Sequence, residues 1–202
     1  MSSVYAPCPC NSGKKLKFCC YKTSDLTKFP LHKCCIGKNW QKTGISNVVI
    51  IRKVFDESFI AEIYLVDIWC LGVKDAFIRK NLSNSDLQYL CNNISLASDG
   101  VIEISYEDAR SIVLGSLNYA AKIGIQPHPN WHSSNNMIEP NRTFENKFEF
   151  GKKGKPLYVA GPHDKNVEAG YIKKVAAAGG NYVATVDIPS VDELEDNTED
   201  LF

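Results

Sequence analysis

Cys8, Cys10, Cys19 and Cys20 all fall within the text CPCNSGKKLKFCC at positions 8–20. So short a segment holds almost no apolar matter from which to build a core, so its order has to come from elsewhere. The spacing C-x-C-x8-C-C supplies a route. Two close pairs of thiolates joined by a short loop can occupy the four corners of a tetrahedral zinc site, and zinc suits soft sulfur donors. Gly13 can take up a turn conformation closed to other residues, and Pro9 pre-sets the arc between Cys8 and Cys10. Lys14, Lys15 and Lys17 lower the cost of gathering negative charge on the sulfurs. The expected cofactor is one Zn2+ held by Cys8, Cys10, Cys19 and Cys20.

The disulfide alternative fits less well. The first residues, MSSVYAPCPC, lack the basic region and apolar run of a secretory signal, and no window approaches eighteen consecutive apolar residues. The expectation is therefore a cytoplasmic protein with no transmembrane segment and reduced thiols. The adjacent pairs Cys19-Cys20 and Cys34-Cys35 are also poor members of a disulfide ladder.

The metal-binding text resembles the SEC-C zinc motif, whose usual form is similar to CPCGSGKKYKKCC. Cys8, Cys10, Cys19 and Cys20 match its four ligand positions, and Pro9, Ser12, Gly13, Lys14, Lys15 and Lys17 match its surroundings. Asn11 stands where the family has glycine, a mild departure because asparagine tolerates left-handed turns. Phe18 stands where a basic residue is common. The motif is an appendage on many unrelated proteins, so the resemblance implies zinc and no particular partner. Three further phrases, VDIWCLGVKDAF, NYAAKIGIQPHPNW and FGKKGKPLYVAGPHD, look like segments of uncharacterised bacterial proteins that carry this motif, and they imply no residue roles.

A formal net charge of zero over 202 residues hides a gradient. Residues 1–42 carry eight lysines against the single acid Asp25, and residues 187–202 carry seven acids and no base. The basic start favours an anionic partner. A protein partner is expected, with weak, nonspecific nucleic-acid contact through Lys14, Lys15 and Lys17 as the other form, since no recognition helix or aromatic platform stands there to read bases.

Four pieces follow along the chain: the knuckle at 1–22, a connector at 23–46, a main α+β domain at 47–186 and an acidic tail at 187–202. The main domain opens on NVVIIRKV and, after a polar turn, a strand-like run over 59–73, which together read as an antiparallel hairpin. Leu87, Leu90, Cys91 and Ile94 share one helical face behind Ser83 and Ser85, and Ala109, Ile112, Val113, Ser116 and Leu117 share another over 105–122. A long polar loop follows over 126–146. Then come a hairpin turning at Lys152-Lys153-Gly154, a helix over 164–178 and a short last strand in NYVATVDI. The sum is a zinc knuckle appended to one sandwich-like domain with a mainly antiparallel sheet.

Two further groups carry possible chemistry. His32, Cys34 and Cys35 offer ligands for a second metal or a reactive thiol, or else pack the connector on the knuckle. His128, His132, His163 and Asp164 come from a polar loop and a strand end, and their convergence would make a metal-dependent or acid–base hydrolytic site, with Asp67 as an additional acid. The sequence holds no Walker loop, dinucleotide fingerprint or serine elbow.

Overall fold

The computed structural model describes residues 5–7, 13–15, 26–161, 164 and 167–183. Its centre is a five-stranded antiparallel sheet built from β1 (Leu31–Gly37), β2 (Ile45–Phe55), β3 (Ser58–Asp67), β4 (Gly72–Leu82) and β5 (Val101–Ile104), in the order β4-β3-β2-β1-β5. The first connection within it is the short helix α1 (Trp40–Thr43), and α2 (Asn84–Ser98) crosses from β4 to β5. Next come α3 (Tyr106–Lys122) and the long loop. Last is a small unit in which β6 (Leu157–Val159) pairs in parallel with β7 (Asn181–Val183) around α4 (Glu168–Ala177).

The apolar runs of β2 and β3 are almost unbroken because both faces of the sheet are covered. On one face Ile36, Val48, Ile50, Ile60, Tyr64 and Val66 pack against Ala109, Ile112 and Val113 of α3 and against Trp131, Met137 and Ile138 of the loop. On the other, Cys35, Val49, Ile51, Ala61 and Ile63 meet Leu87 and Ile94 of α2. A third cluster of Cys70, Leu71, Ala120, Ile125, Tyr158 and Val175 seats the C-terminal unit. This is the expected α+β architecture with a mainly antiparallel sheet; the structure adds that a long helix covers each face.

Both long helices begin where their caps predict. Ser83 accepts the Asp86 backbone N–H while the Asp86 carboxylate accepts that of Ser83, a complete capping box, and Ser105 accepts the N–H of Asp108.

Of the stretch read as a connector at 23–46, residues 26–46 are instead part of the body. Leu26 and Phe29 are buried, and β1 lies between β2 and β5 with ladders to both. Alternation was hidden there because Cys34 and Cys35 are buried on opposite faces. The run over 59–73 also divides: the chain turns at 68–71, where Asp67 Oδ1 accepts the N–H groups of Trp69 (2.8 Å) and Cys70 (3.0 Å), and β4 returns beside β3. At the same end Gly44 has φ +79 and its missing Cβ would stand 2.1 Å from the Trp69 ring, so only glycine fits. The turn at Lys152–Lys155 forms as expected, but β6 takes β7 as its partner and the segment before the turn is not a strand. Among the described residues no helix is long and apolar enough to cross a membrane.

Candidate functional site

The expected zinc ligands Cys8, Cys10, Cys19 and Cys20, with Lys17, lie outside the described residues. What is described are both sides of the first cysteine pair. Pro7 and Lys15 form an antiparallel bridge, Gly13 has φ +71, and the Lys15 ammonium stands 6.0 Å from the centre of the Tyr5 ring. Lys14 and Lys15 are exposed. The chain therefore reverses between Pro7 and Lys15, with glycine in the left-handed conformation that the reversal uses.

The second candidate is a cleft of about 530 Å3 at one end of the sheet, between the start of β4, the loop after α3 and the first turn of α4. Its size suits a small ligand. His128 and Asp164 both line it, and they are joined by Lys74 and Asp75 from β4, with Leu65, Val73 and Tyr171 as apolar wall. The His128 backbone N–H donates to Val73 O (3.0 Å), which fixes the loop beside the strand. His128 Nδ1 accepts the Asn130 N–H (3.3 Å) and stands 3.4 Å from Asp75 Oδ1. With its Nδ1 lone pair taken, the neutral ring carries its proton on Nε2. Asp75 Oδ1 also accepts from Ala76 N (2.7 Å) and Asn130 Nδ2 (2.9 Å).

Asp164 is more buried. Its Oδ2 accepts from Tyr158 Oη (3.0 Å) and the Gly161 N–H (3.0 Å), and Lys74 Nζ lies 3.6 Å away. Burial, and then the hydrogen bond to Asp164, push the Tyr158 hydroxyl well above the ordinary tyrosine range. Much of Asp164's capacity is thus spent on organising the turn into α4.

The remaining expected residues do not join this cleft. His132 is exposed on the 3-10 helix Pro129–Ser133 and is not part of the cleft wall, and His163 lies outside the described residues. Asp67 is buried in its turn, where desolvation raises its pKa to about 6 against the pull of the Trp69 and Cys70 N–H groups. The His32, Cys34 and Cys35 group is split by the strand. His32 packs on Phe59 with ring centres 4.7 Å apart, Cys34 faces the α3 side and Cys35 the α2 side. Among the described residues no three His, Cys, Asp or Glu side chains gather as a metal site.

Sequence reasoning passed over Lys74 and Asp75, although a charged pair inside the apolar text LGVKDAF was a readable signal. It also passed over two buried ionisable side chains that shape the long loop. Glu62, fully buried on β3, accepts the N–H groups of Asn136 (2.8 Å) and Met137 (2.8 Å) and the hydroxyl of Tyr64. Arg110, fully buried on α3, donates to the carbonyls of Ile138, Glu139, Arg142 and Thr143 and to Glu107. A lone acid within FIAEIYLV could have marked the first; nothing local marked the second.

Compared with known proteins, the chain matches no family model, no curated protein and no solved structure.

Proposed function

We propose that the chain is a zinc-binding protein in which an SEC-C-like knuckle, with Cys8, Cys10, Cys19 and Cys20 as ligands, contacts a protein partner from the α+β body that carries it. The observation that carries this reading is the Pro7–Lys15 bridge with Gly13 at φ +71. A knuckle that takes thiolates from both sides of a short loop needs the chain reversed there by a residue free to adopt positive φ. The metal's contribution is structural: it orders a segment too small to order itself. The exposed Lys14 and Lys15 then belong to a fixed loop, and presenting their charge to an acidic surface costs little ordering entropy. The free thiols of Cys34, Cys35, Cys70 and Cys91 are in keeping with a reducing, cytoplasmic setting.

The test is elemental analysis of the reduced full-length protein. One zinc per chain is expected, and the double substitution Cys19→Ser, Cys20→Ser should release it. Unchanged metal content in that variant would sink the assignment. Binding to labelled nucleic acid at low salt, abolished by added salt, would replace the protein partner with a nonspecific nucleic-acid one.

A second reading is favoured by the convergence of Lys74, Asp75, His128 and Asp164 in one cleft, namely acid–base hydrolysis with His128 as the proton carrier. Turnover of simple phosphate or carboxylate esters by the wild type that disappears in a folded His128→Asn variant would establish it. Equal rates in the two would remove it.

A further inference from the structure

Cys35 and Cys91 come from different elements and meet in the core between them. Cys35 stands on β1, fully buried, facing α2. Cys91 stands on α2, partly exposed, packed against the same cluster and close enough to Cys35 to bear on its thiol. On its outer side Cys91 lines a cleft of about 320 Å3, together with His32 and Lys33 of β1 and Asn84 and Gln88 of α2. One sulfur of the pair is therefore open to a small oxidant and the other is behind it. Cys34 faces the opposite side of the sheet and Cys70 belongs to the cluster under the C-terminal unit, so neither competes.

We propose that Cys35 and Cys91 form a reversible disulfide, driven by peroxide, that staples α2 to strand β1. In the first step the Cys91 thiolate attacks one oxygen of hydrogen peroxide, the O–O bond breaks, and sulfenic acid and, after proton uptake, water result. In the second step the Cys35 sulfur attacks the Cys91 sulfenic sulfur, the S–O bond breaks, and the departing hydroxide takes the Cys35 proton to leave as a second water. Two thiols are oxidised by two electrons in all, and one peroxide is reduced to two waters. A small thiol of the glutathione class reverses the bond by exchange.

The order of the steps follows from burial. Desolvation first, and then its contact with Cys91, push the Cys35 thiol up to about 12, so it presents almost no thiolate to solvent. It reacts only once a sulfenic acid stands against it, where proximity replaces intrinsic reactivity. The inference does not rest on zinc at the N-terminus, because none of the four expected ligands takes part.

Mapping the full-length protein after treatment with hydrogen peroxide, alkylation of free thiols and digestion with trypsin tests the proposal. Cleavage after Lys33 and Lys38 releases residues 34–38, and cleavage after Lys80 and Arg110 releases residues 81–110. The expected product is these two peptides joined through Cys35, with Cys34 alkylated, and it disappears on treatment with glutathione. Cys34→Ser should keep the cross-link and Cys91→Ser should abolish it, leaving Cys35 as free thiol. The oxidised wild type should also melt at a higher temperature than its reduced form, a difference absent in Cys91→Ser. Three results would overturn the proposal: Cys91 trapped as a dimedone adduct while Cys35 remains alkylatable, a cross-link through Cys34, or both thiols unchanged by peroxide.

Discussion

The buried carboxyl groups of Glu62 and Asp67, both on β3, show what hydrogen bonds can and cannot compensate. Asp67 caps the turn between β3 and β4, yet burial outweighs its backbone donors and its folded pKa rises from 3.8 to about 6. Burial raises Glu62 as well, against Tyr64 and the Met137 and Asn136 N–H groups. A carboxyl whose folded pKa is raised binds a proton more tightly in the native state than in the unfolded chain. Its contribution to stability is therefore fully present below the unfolded pKa and is lost as pH rises through the folded one. For Asp67 the window runs from about pH 4 to about pH 6, and the loss is roughly 3 kcal/mol. Asp67→Asn keeps the acceptor oxygen for Trp69 and Cys70 but cannot ionise. Urea midpoints of this variant should fall less between pH 4 and pH 6 than those of the wild type. An unchanged fall would assign the dependence to Glu62 instead.

At the scale of elements, the long segment after α3 takes its shape from two buried ionisable side chains. Glu62 collects backbone N–H groups at 136 and 137, and Arg110 collects carbonyls at 138, 139, 142 and 143. An acid and a base on neighbouring layers thus replace the ladder that an irregular segment lacks. Arg110→Lys keeps the charge but loses the planar fork, since one ammonium cannot serve four carbonyls in fixed directions. The expected cost is on the order of 3 kcal/mol, read from urea unfolding, with faster amide exchange confined to 136–143. Unchanged exchange there would mean that Trp131, Met137 and Ile138 hold the loop by packing alone. The same contrast explains what was legible beforehand. Helices α2 and α3 declared themselves through period and cap, both local signals, and the β2–β3 hairpin through its apolar runs. The loop's anchors are more than 25 residues distant in sequence from what they hold, and β1 was masked by adjacent cysteines and a bulge near His32. In the cleft, His128 and Asp164 could be named from polarity in a loop. Lys74 and Asp75 reach it only because β4 forms the edge of the sheet, a fact of topology.

For the whole molecule, the position of β1 decides where an independent body begins. A chain starting at Ile45 would lose the strand between β2 and β5, so β5 would have no ladder and β2 would have an open edge. It would also lose the buried side chains of Leu26, Phe29, Cys34, Cys35, Ile36 and Trp40, drawn from both faces of the sheet. At roughly 1.5–3 kcal/mol for each large apolar side chain, their sum is comparable with the whole stability of a typical domain, about 5–15 kcal/mol. Residues 26–183 keep all of these contacts and leave out the zinc segment and the acidic tail. The prediction is that a chain of residues 26–183 unfolds in a single cooperative urea transition that a chelator does not shift, whereas one beginning at residue 45 shows none. Far-ultraviolet circular dichroism and tryptophan fluorescence should give coincident midpoints for the longer chain, since Trp40, Trp69 and Trp131 all pack in or against the core on the α3 side. A cooperative transition in the shorter chain would show that β2, β3 and β4 with α3 are sufficient. Loss of the transition in the longer one would make the N-terminal knuckle part of the same folding unit.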